Sequence, residues 1–151
     1  MSKTETERGD RDREERQRGE TERRDRDRDL RQRGETEMFK FERLEVWKKA
    51  VSLYEHVSSL SRTIYQRDQF SLGEQIRRAS LSVSTNIAEG TGREGEKESR
   101  HFFNIAKGSV YEVVSLLYIM RLREYIAEKD YEGLYGQCDE IAKMLSGILN
   151  K

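Results

Sequence analysis

The fold class depends on Gln75-Ile-Arg-Arg-Ala-Ser-Leu-Ser-Val-Ser-Thr-Asn-Ile-Ala-Glu-Gly-Thr-Gly-Arg93, a stretch in which two periodicities compete. Its central Ser-Leu-Ser-Val-Ser run alternates polar and apolar residues, as a β-strand does. Helical spacing covers a longer span that begins just before the stretch, at Leu72, Ile76, Ala79, Val83 and Ile87. Because the helical pattern is longer, and because serines suit close helix packing, we predict a helix here.

The two ends of this predicted helix carry recognisable signals. Ser71 and Glu74 have the spacing of a capping box, so we expect the helix to begin with that motif. Gly90 or Gly92 should end it, because glycine closes a helix in the left-handed conformation without a Cβ penalty.

Polar and small residues inside the predicted helices indicate tertiary contacts. Serine, threonine and asparagine are weak helix formers, so the serine-rich helix must be stabilised by its neighbours. We expect Ser80 and Asn86 to form a buried hydrogen-bond network that fixes packing register. Gly108, in the following helix, costs about 1 kcal/mol relative to alanine, which predicts that a neighbouring backbone approaches it closely.

Three further segments have the 3- and 4-residue spacing of amphipathic helices. The first covers residues 41–63, the longest covers 93–123, and the last begins near Asp130, which can act as its N-cap. Their apolar stripes are Phe41, Leu44, Trp47, Val51, Tyr54, Val57 and Leu60; Phe103, Ala106, Val110, Val113, Leu117 and Met120; and Leu134, Tyr135, Cys138, Ile141, Ala142, Leu145, Ile148 and Leu149. We therefore place Trp47 and Cys138 in the core. With no proline in the chain, the pattern predicts an all-α fold.

Residues 1–37 form a mixed-charge tail built from two near-copies of one sequence, 5–19 and 20–34. The tail has 12 basic and 13 acidic side chains, and Leu30 is its one large apolar residue after Met1. Such a composition cannot bury enough surface to offset chain entropy, so we predict disorder for 1–37 and a folded domain at 38–151. The tail uses few residue types, and nearly all of them can be encoded by purine-rich codons, as expected from a simple DNA repeat read in frame. This suggests that the tail is an upstream extension and that translation naturally begins at Met38. An Arg-rich arm that contacts RNA is the alternative.

Composition limits the function classes. The chain has 29 basic and 29 acidic side chains, so any nucleic-acid site must be a local patch. The single cysteine excludes an internal disulfide framework. No apolar run of about 18 residues is present, so we expect a cytoplasmic protein without a membrane partner.

No catalytic constellation or cofactor motif stands out. Glu98 and His101 have the Glu-x-x-His spacing of di-iron bundles, but a second such pair is missing, because Leu53 stands three positions before His56. Two histidines do not complete a catalytic triad, and Cys138 lacks a thiolate-stabilising neighbour. We expect no metal, no cofactor and no enzymatic activity.

One electrostatic candidate remains. Polar residues at 93, 97, 100, 104 and 107 repeat along one side of the longest helix, and a basic pair precedes them in the neighbouring helix. The predicted phosphate contacts are Arg77, Arg78, Arg93, Lys97, Arg100 and Lys107. An ordinary solvated, salt-bridged surface is the alternative, because Glu89, Glu94, Glu96 and Glu98 lie nearby.

An ordered set of motifs resembles a known family. The set is Phe41-Glu-x-Leu-x-Val-Trp-x-x-Ala50, Gln75-Ile-Arg-Arg-Ala79, Asn86-Ile-Ala-Glu-Gly90 with Gly92-Arg93, Ile105-Ala-Lys-Gly-Ser109 with Glu112, and Tyr125-Ile126. Together these motifs resemble the four-helix-bundle proteins encoded in intervening sequences of bacterial 23S ribosomal RNA genes. The sequence is also similar to the accessory variability determinant of diversity-generating retroelements, a basic pentamer that binds nucleic acid and a reverse transcriptase.

The resemblance implies an antiparallel up-down four-helix bundle that assembles as a homopentamer. It also implies a nucleic-acid-associated accessory factor whose partners are RNA or DNA and a reverse transcriptase. The motif residues that matter for packing would be Trp47, Asn86, Glu89, Gly90, Gly108 and Ser109. A structural oligomer or interaction scaffold without nucleic-acid binding is the alternative function, because residues 38–151 are near neutral whereas a nucleic-acid-binding relative is strongly basic.

Overall fold

The computed structural model describes residues 38–151 and seven positions of the tail, 17, 19, 21, 22, 24, 25 and 28. Residues 38–151 contain four long helices: α1 Glu45–Ser61, α2 Glu74–Thr91, α3 Glu96–Leu122 and α4 Glu128–Leu149. Every regular element in the described part of the chain is helical, which confirms the all-α prediction. The seven tail positions have helical backbone, and the rest of the segment predicted to be disordered lies outside the described residues.

The four helices form an antiparallel bundle. α2 packs most extensively on α3, α3 packs on α4, and α1 lies against both α2 and α4. Short connections at 92–95 and 123–127 reverse the chain between successive helices. Arg100, near the start of α3, donates to the carbonyl of Leu149 at the end of α4, as antiparallel packing requires.

The core follows the predicted stripe closely on α3, where all six predicted residues from Phe103 to Met120 are buried. On α1 the predicted stripe is right in part, because Val57 is buried and Leu44, Trp47 and Leu60 pack at the margin of the core. The buried face of α1 consists of Val46, Ala50, Leu53 and Val57. Trp47 is only half-buried and packs on the Phe41 ring, with centroids 4.9 Å apart. Apolar residues cover a wide arc of α1, and the positions of α2 and α4 decide which part of that arc is enclosed.

The predicted capping box at Ser71 is wrong because the chain is already helical before α2 begins. A helical turn at Gln66–Asp68 and a π-helical turn at Gln69–Gly73 lead directly into α2. The Ser71 hydroxyl therefore donates to the Asp68 carbonyl at 3.3 Å and caps no free amide.

Two other predicted helix ends also differ. Gly92 follows α2 as predicted, but with φ −82° it lies in the right-handed region. α4 begins at Glu128, so Asp130 lies inside its first turn and is not the N-cap. The left-handed position in 38–151 is Glu124, with φ 58°, in the connection between α3 and α4.

Gly90 allows α2 and α3 to approach closely. A Cβ at this position would lie 3.0 Å from the carbonyl oxygen of Ser99 and 3.2 Å from both Phe102 Cβ and Phe103 Cε1. The Ser99 hydroxyl donates to the Gly90 carbonyl at 2.8 Å and completes the contact. Gly108 was predicted to have this role and does not, because a Cβ there would have no atom within 4 Å.

A polar clamp joins the two connections at the other end of the bundle. The Asp68 carboxylate accepts hydrogen bonds from the Tyr125 hydroxyl and from Arg123 Nη2, the latter at 3.0 Å. Thr63 Oγ1 donates to the Tyr125 carbonyl at 3.1 Å. The hydrogen bond from Tyr125 is the largest cause that holds the pKa of Asp68 below its ordinary value; partial burial opposes it and Arg123 adds to it.

The two glycines predict opposite effects of alanine substitution. Gly90→Ala should lower the free energy of unfolding by about 1 kcal/mol, since overpacking against a backbone carbonyl costs more than the gain in helix propensity. Gly108→Ala, the matched control, should raise it by up to about 1 kcal/mol, because its Cβ enters open space. Urea denaturation of the full chain measures both, and equal stabilisation by the two changes would contradict the close approach at Gly90.

The clamp predicts an acid-dependent contribution to stability. Because the folded state lowers the pKa of Asp68, its ionised form stabilises the fold above the ordinary pKa, and that contribution disappears as pH falls through the folded value. Asp68→Asn should therefore be less stable than wild type at neutral pH, with the difference shrinking below about pH 4. Thermal unfolding between pH 7 and pH 3 tests this. A difference that is independent of pH would show that Asp68 contributes by packing alone.

Candidate nucleic-acid interface

A polar seam runs along the contact between α2 and α3. The hydroxyls of Ser82 and Ser109 are 2.8 Å apart across the two helices. Asn86 Nδ2 donates to the Ser82 carbonyl at 2.8 Å and to the Ser82 hydroxyl at 2.9 Å. Further along, Gln75 Nε2 donates to Glu112 Oε1 at 2.5 Å. The seam fixes the register of the most extensive helix contact in the bundle.

The predicted serine and asparagine network is half right. Asn86 joins a half-buried network by donating to Ser82, whose hydroxyl in turn meets that of Ser109. Ser80 instead donates to the Arg77 carbonyl in its own helix at 3.0 Å. Helical spacing alone did not show which serine of α2 faces α3. Ser109 is 8 % exposed and its hydroxyl also donates to the Ile105 carbonyl, so it serves packing.

Arg93 pairs two of the four acids at the turn between α2 and α3. Arg93 forms ion pairs with Glu89 and with Glu98, the latter at 3.2 Å. Its guanidinium also lies 4.7 Å from the centroid of the Phe102 ring, a favourable cation–π contact. Glu89 and Arg93 therefore hold the end of α2 against the start of α3. Glu94 and Glu96 have no ion pair within the described residues, so the turn keeps an excess of acids.

The structure separates Arg77 and Arg78 from the other predicted phosphate contacts. Arg77 Nη1 donates to Ser61 Oγ at 2.9 Å and to Gln69 Oε1 at 3.3 Å, so it ties α2 to the end of α1. Arg78 is exposed and paired with Glu74 at 2.5 Å. Arg77 does not converge with the stripe on α3, because it faces α1, and the charge of Arg78 is already paired.

Lys97, Arg100 and Lys107 remain together on one side of α3, spaced by three and seven residues. A groove on this side is lined by Glu96, Lys97, Arg100, His101 and Asn104. Among the described residues, Lys97 and Lys107 have no ion-pair partner, whereas Arg100 donates to the Leu149 carbonyl and keeps its charge. We call this set the cationic edge.

The sequence analysis did not find the tyrosines that continue this side of α3. Tyr111 and Tyr118 are 63 % and 51 % exposed, and Tyr135 of α4 is 48 % exposed. Tyr111 and Tyr135 line a cleft of 130 Å³ between α3 and α4. The prediction that Tyr135 belongs to the buried stripe of α4 is wrong. The exposure of Tyr111 and Tyr118 was predictable, because neither residue lies on the apolar stripe of α3.

A profile of the 23S rRNA-intervening sequence proteins matches residues 42–147. The chain belongs to this family. One solved relative is a protein of unknown function from the S23 ribosomal protein family of Bacteroides thetaiotaomicron, which is 24 % identical, covers 70 % of this chain and 99 % of its own, and has a TM-score of 0.66. At that identity the likeness shows the shared helical fold. No curated protein matches the chain.

In this 23S rRNA-intervening sequence protein, the residues considered for metal or thiol chemistry have other surroundings. Glu98 is bound to Arg93, and the described residues contain no group of three side chains arranged to hold a metal ion. Cys138 is buried as predicted, and desolvation raises the pKa of its thiol to about 12. The thiol is therefore protonated and inert at neutral pH. Within the described part of the chain, no helix has the length and apolar character needed to cross a membrane.

The polar seam predicts a measurable coupling between two serines. Ser82→Ala and Ser109→Ala should each lower the free energy of unfolding, and the double variant should lose less than their sum by about 0.5–1.5 kcal/mol, because the shared hydrogen bond is lost only once. Ser115→Ala, at an exposed position of α3, is the control and should change stability by less than about 0.5 kcal/mol. Additive effects at Ser82 and Ser109 would contradict the coupling.

Proposed function

We propose that this protein is a non-enzymatic, self-associating accessory factor that binds nucleic acid through phosphate contacts along the cationic edge. The observation that carries the proposal is the absence of ion-pair partners for Lys97 and Lys107 among the described residues. A lysine without an acidic partner keeps its full charge available for a phosphate.

The pairing of nearby acids supports a local positive field on a chain of zero net charge. Glu98 is engaged by Arg93, and on the α4 side Asp139 is engaged by Lys143 at 2.6 Å. In the groove beside the cationic edge, Lys97 and Arg100 face the single carboxylate of Glu96. Cations therefore outnumber unpaired carboxylates on this surface, which favours a polyanion.

The proposal places this protein in the cytoplasm, with RNA or DNA as the first partner and a reverse transcriptase as a possible second. Membership of a family named for intervening sequences of 23S rRNA supports an RNA-associated setting. The separation of Arg77 and Arg78 from the cationic edge reduces the proposed phosphate contacts to Lys97, Arg100 and Lys107, with Arg93 at one end.

Self-association as a homopentamer is part of the proposal. Large apolar side chains are exposed on different helices of the bundle, among them Leu81 of α2 and Ile119 and Leu122 near the end of α3. Unlike apolar surfaces on different helices suit a head-to-tail contact between copies, the kind of contact that closes a ring. The same observation favours the second candidate function, a structural oligomer that binds no nucleic acid.

A salt titration with two matched variants distinguishes the two functions. The full chain is titrated against labelled single- and double-stranded RNA and DNA, with binding followed by fluorescence anisotropy at several salt concentrations. For Lys97→Ala/Lys107→Ala, the slope of log affinity against log salt should become shallower by about 1.4–1.8, as expected for two lost phosphate contacts. Lys48→Ala/Arg78→Ala removes the same charge from other surfaces, where Glu45 and Glu74 pair these residues, and should leave the slope unchanged.

Binding to none of the four nucleic acids, from a protein that is still a folded oligomer, would support the structural function and overturn the nucleic-acid proposal. Equal loss of slope in the two variants would show that binding depends on overall charge and not on the cationic edge.

A further inference from the structure

The exposed tyrosines lie on the same side of the bundle as the cationic edge. Residues 97, 104, 111 and 118 recur every seven positions of α3, which keeps them on one face of a straight helix over about 32 Å. The face is basic in its N-terminal half, at Lys97 and Lys107, and aromatic beyond, at Tyr111 and Tyr118. α4 adds Tyr135, which lines a cleft with Tyr111. We call these three tyrosines the tyrosine track.

The phenol rings of the tyrosine track are open to solvent. Each is about half or more exposed, and among the described residues none of the three hydroxyls makes a hydrogen bond. This differs from Tyr125, which is buried and whose hydroxyl is bound to Asp68. The Tyr135 ring lies 6.0 Å from the Tyr131 ring, whereas no ring contact joins Tyr111 or Tyr118 to another aromatic side chain in the described part of the chain. The exposed ring faces of Tyr111 and Tyr118 are therefore available to a ligand.

The size of the cleft restricts that ligand to flat groups. At 130 Å³ it is below the volume of about 300–1,000 Å³ that small-molecule sites usually have. Its walls are Tyr111 and Tyr135, the small or apolar side chains of Val110, Val114, Cys138 and Ala142, and Asp139, whose carboxylate is paired with Lys143. Such a cleft suits a single planar ring inserted from a longer molecule.

Cations border the tyrosine track at both ends. Lys107 lies one turn before Tyr111, and Arg121 lies close to Tyr118 along α3, where its guanidinium is 4.6 Å from the centroid of the Tyr131 ring. Two acids of α4 beside the tyrosine track are paired, Glu128 with Arg121 at 2.9 Å and Asp139 with Lys143, whereas Glu132, one turn before Tyr135, has no ion pair within the described residues. Planar rings to stack on and cations at their margins are the two features that bind a flexible polyanion with exposed bases.

We propose that the cationic edge and the tyrosine track together bind single-stranded nucleic acid, with phosphates on the lysines and bases stacked on Tyr111, Tyr118 and Tyr135. This rests on the proposed function and narrows it, because the bases of a duplex are stacked on one another and cannot reach the tyrosines. Stacking is tolerant of sequence, since every base has a flat face.

The experiment compares two probes of equal charge on the full chain. One is a labelled oligothymidylate of about 20 nucleotides, longer than the site of a typical single-strand-binding fold, and the other is an abasic strand of the same length. Wild type should bind the oligothymidylate at least about tenfold more tightly, because the abasic strand supplies phosphates without bases. This comparison needs no substitution, so it does not depend on any variant being folded.

Variants then assign the preference to residues. Tyr111→Ala/Tyr118→Ala should lose most of the preference, with the salt slope of wild type, because only Tyr135 of the tyrosine track remains to stack a base. Phe70→Ala removes an aromatic ring that is 84 % exposed in the turn before α2, and should keep the preference. Lys97→Ala/Lys107→Ala should weaken binding to both probes and keep the ratio between them.

The outcomes separate the inference from the proposed function. If wild type binds both probes with equal affinity, or if the double tyrosine variant keeps the preference, base stacking on the tyrosine track is overturned while electrostatic binding stands. If wild type binds neither probe, the inference is overturned, and the titration with the four nucleic acids decides the proposed function. If light scattering shows that the tyrosine variant loses its oligomeric state and its affinity for both probes falls equally, the tyrosine track is a contact between copies and the inference is overturned.

Discussion

The contact between the Gly90 position and the Ser99 carbonyl is the constraint on which the bundle depends. It sets how closely α2 and α3 approach at their shared turn, with no room for a side chain between them. From that point the two helices diverge little, so Ser82 and Ser109 meet across the seam two turns away. α4 and α1 then pack on a pair whose spacing and register are already fixed. A small residue at one turn thereby controls which side chains of α3 face outward.

The distribution of ion pairs, more than the number of charged side chains, decides where the surface of the bundle is positive. A chain with as many acids as bases has no overall field, yet Glu89 and Glu98 near the α2–α3 turn and Glu128 and Asp139 of α4 are paired with arginine or lysine. Lys97 and Lys107 have no ion-pair partner among the described residues. Because exposed ion pairs add little stability, this arrangement affects where a polyanion can approach more than how stable the fold is.

Sequence periodicity predicted the helices better than their ends or their partners. α3 has a single narrow apolar stripe, so its buried face was predictable, whereas the wide apolar arc of α1 left the choice between Val46 and Trp47 to tertiary packing. Ser71 looked like a cap because nothing in the sequence shows that the preceding residues are already helical. The role of Arg77 depends on the path of a connection, and the tyrosine track depends on how α4 lies beside α3. Such features combine residues far apart in the chain, beyond the reach of a local pattern.

The up-down connectivity also bears on how the chain reaches this structure. Each helix contacts the one that follows it, so most contacts join residues close in sequence, and such topologies fold quickly. The α2–α3 hairpin combines the most extensive contact with a connection of only a few residues, so its loop-closure entropy is small. The pairing of α1 with α4 closes the longest loop for the least contact. Assembly therefore favours an early central hairpin onto which the outer helices dock, and the first and last helices are the ones that open most readily.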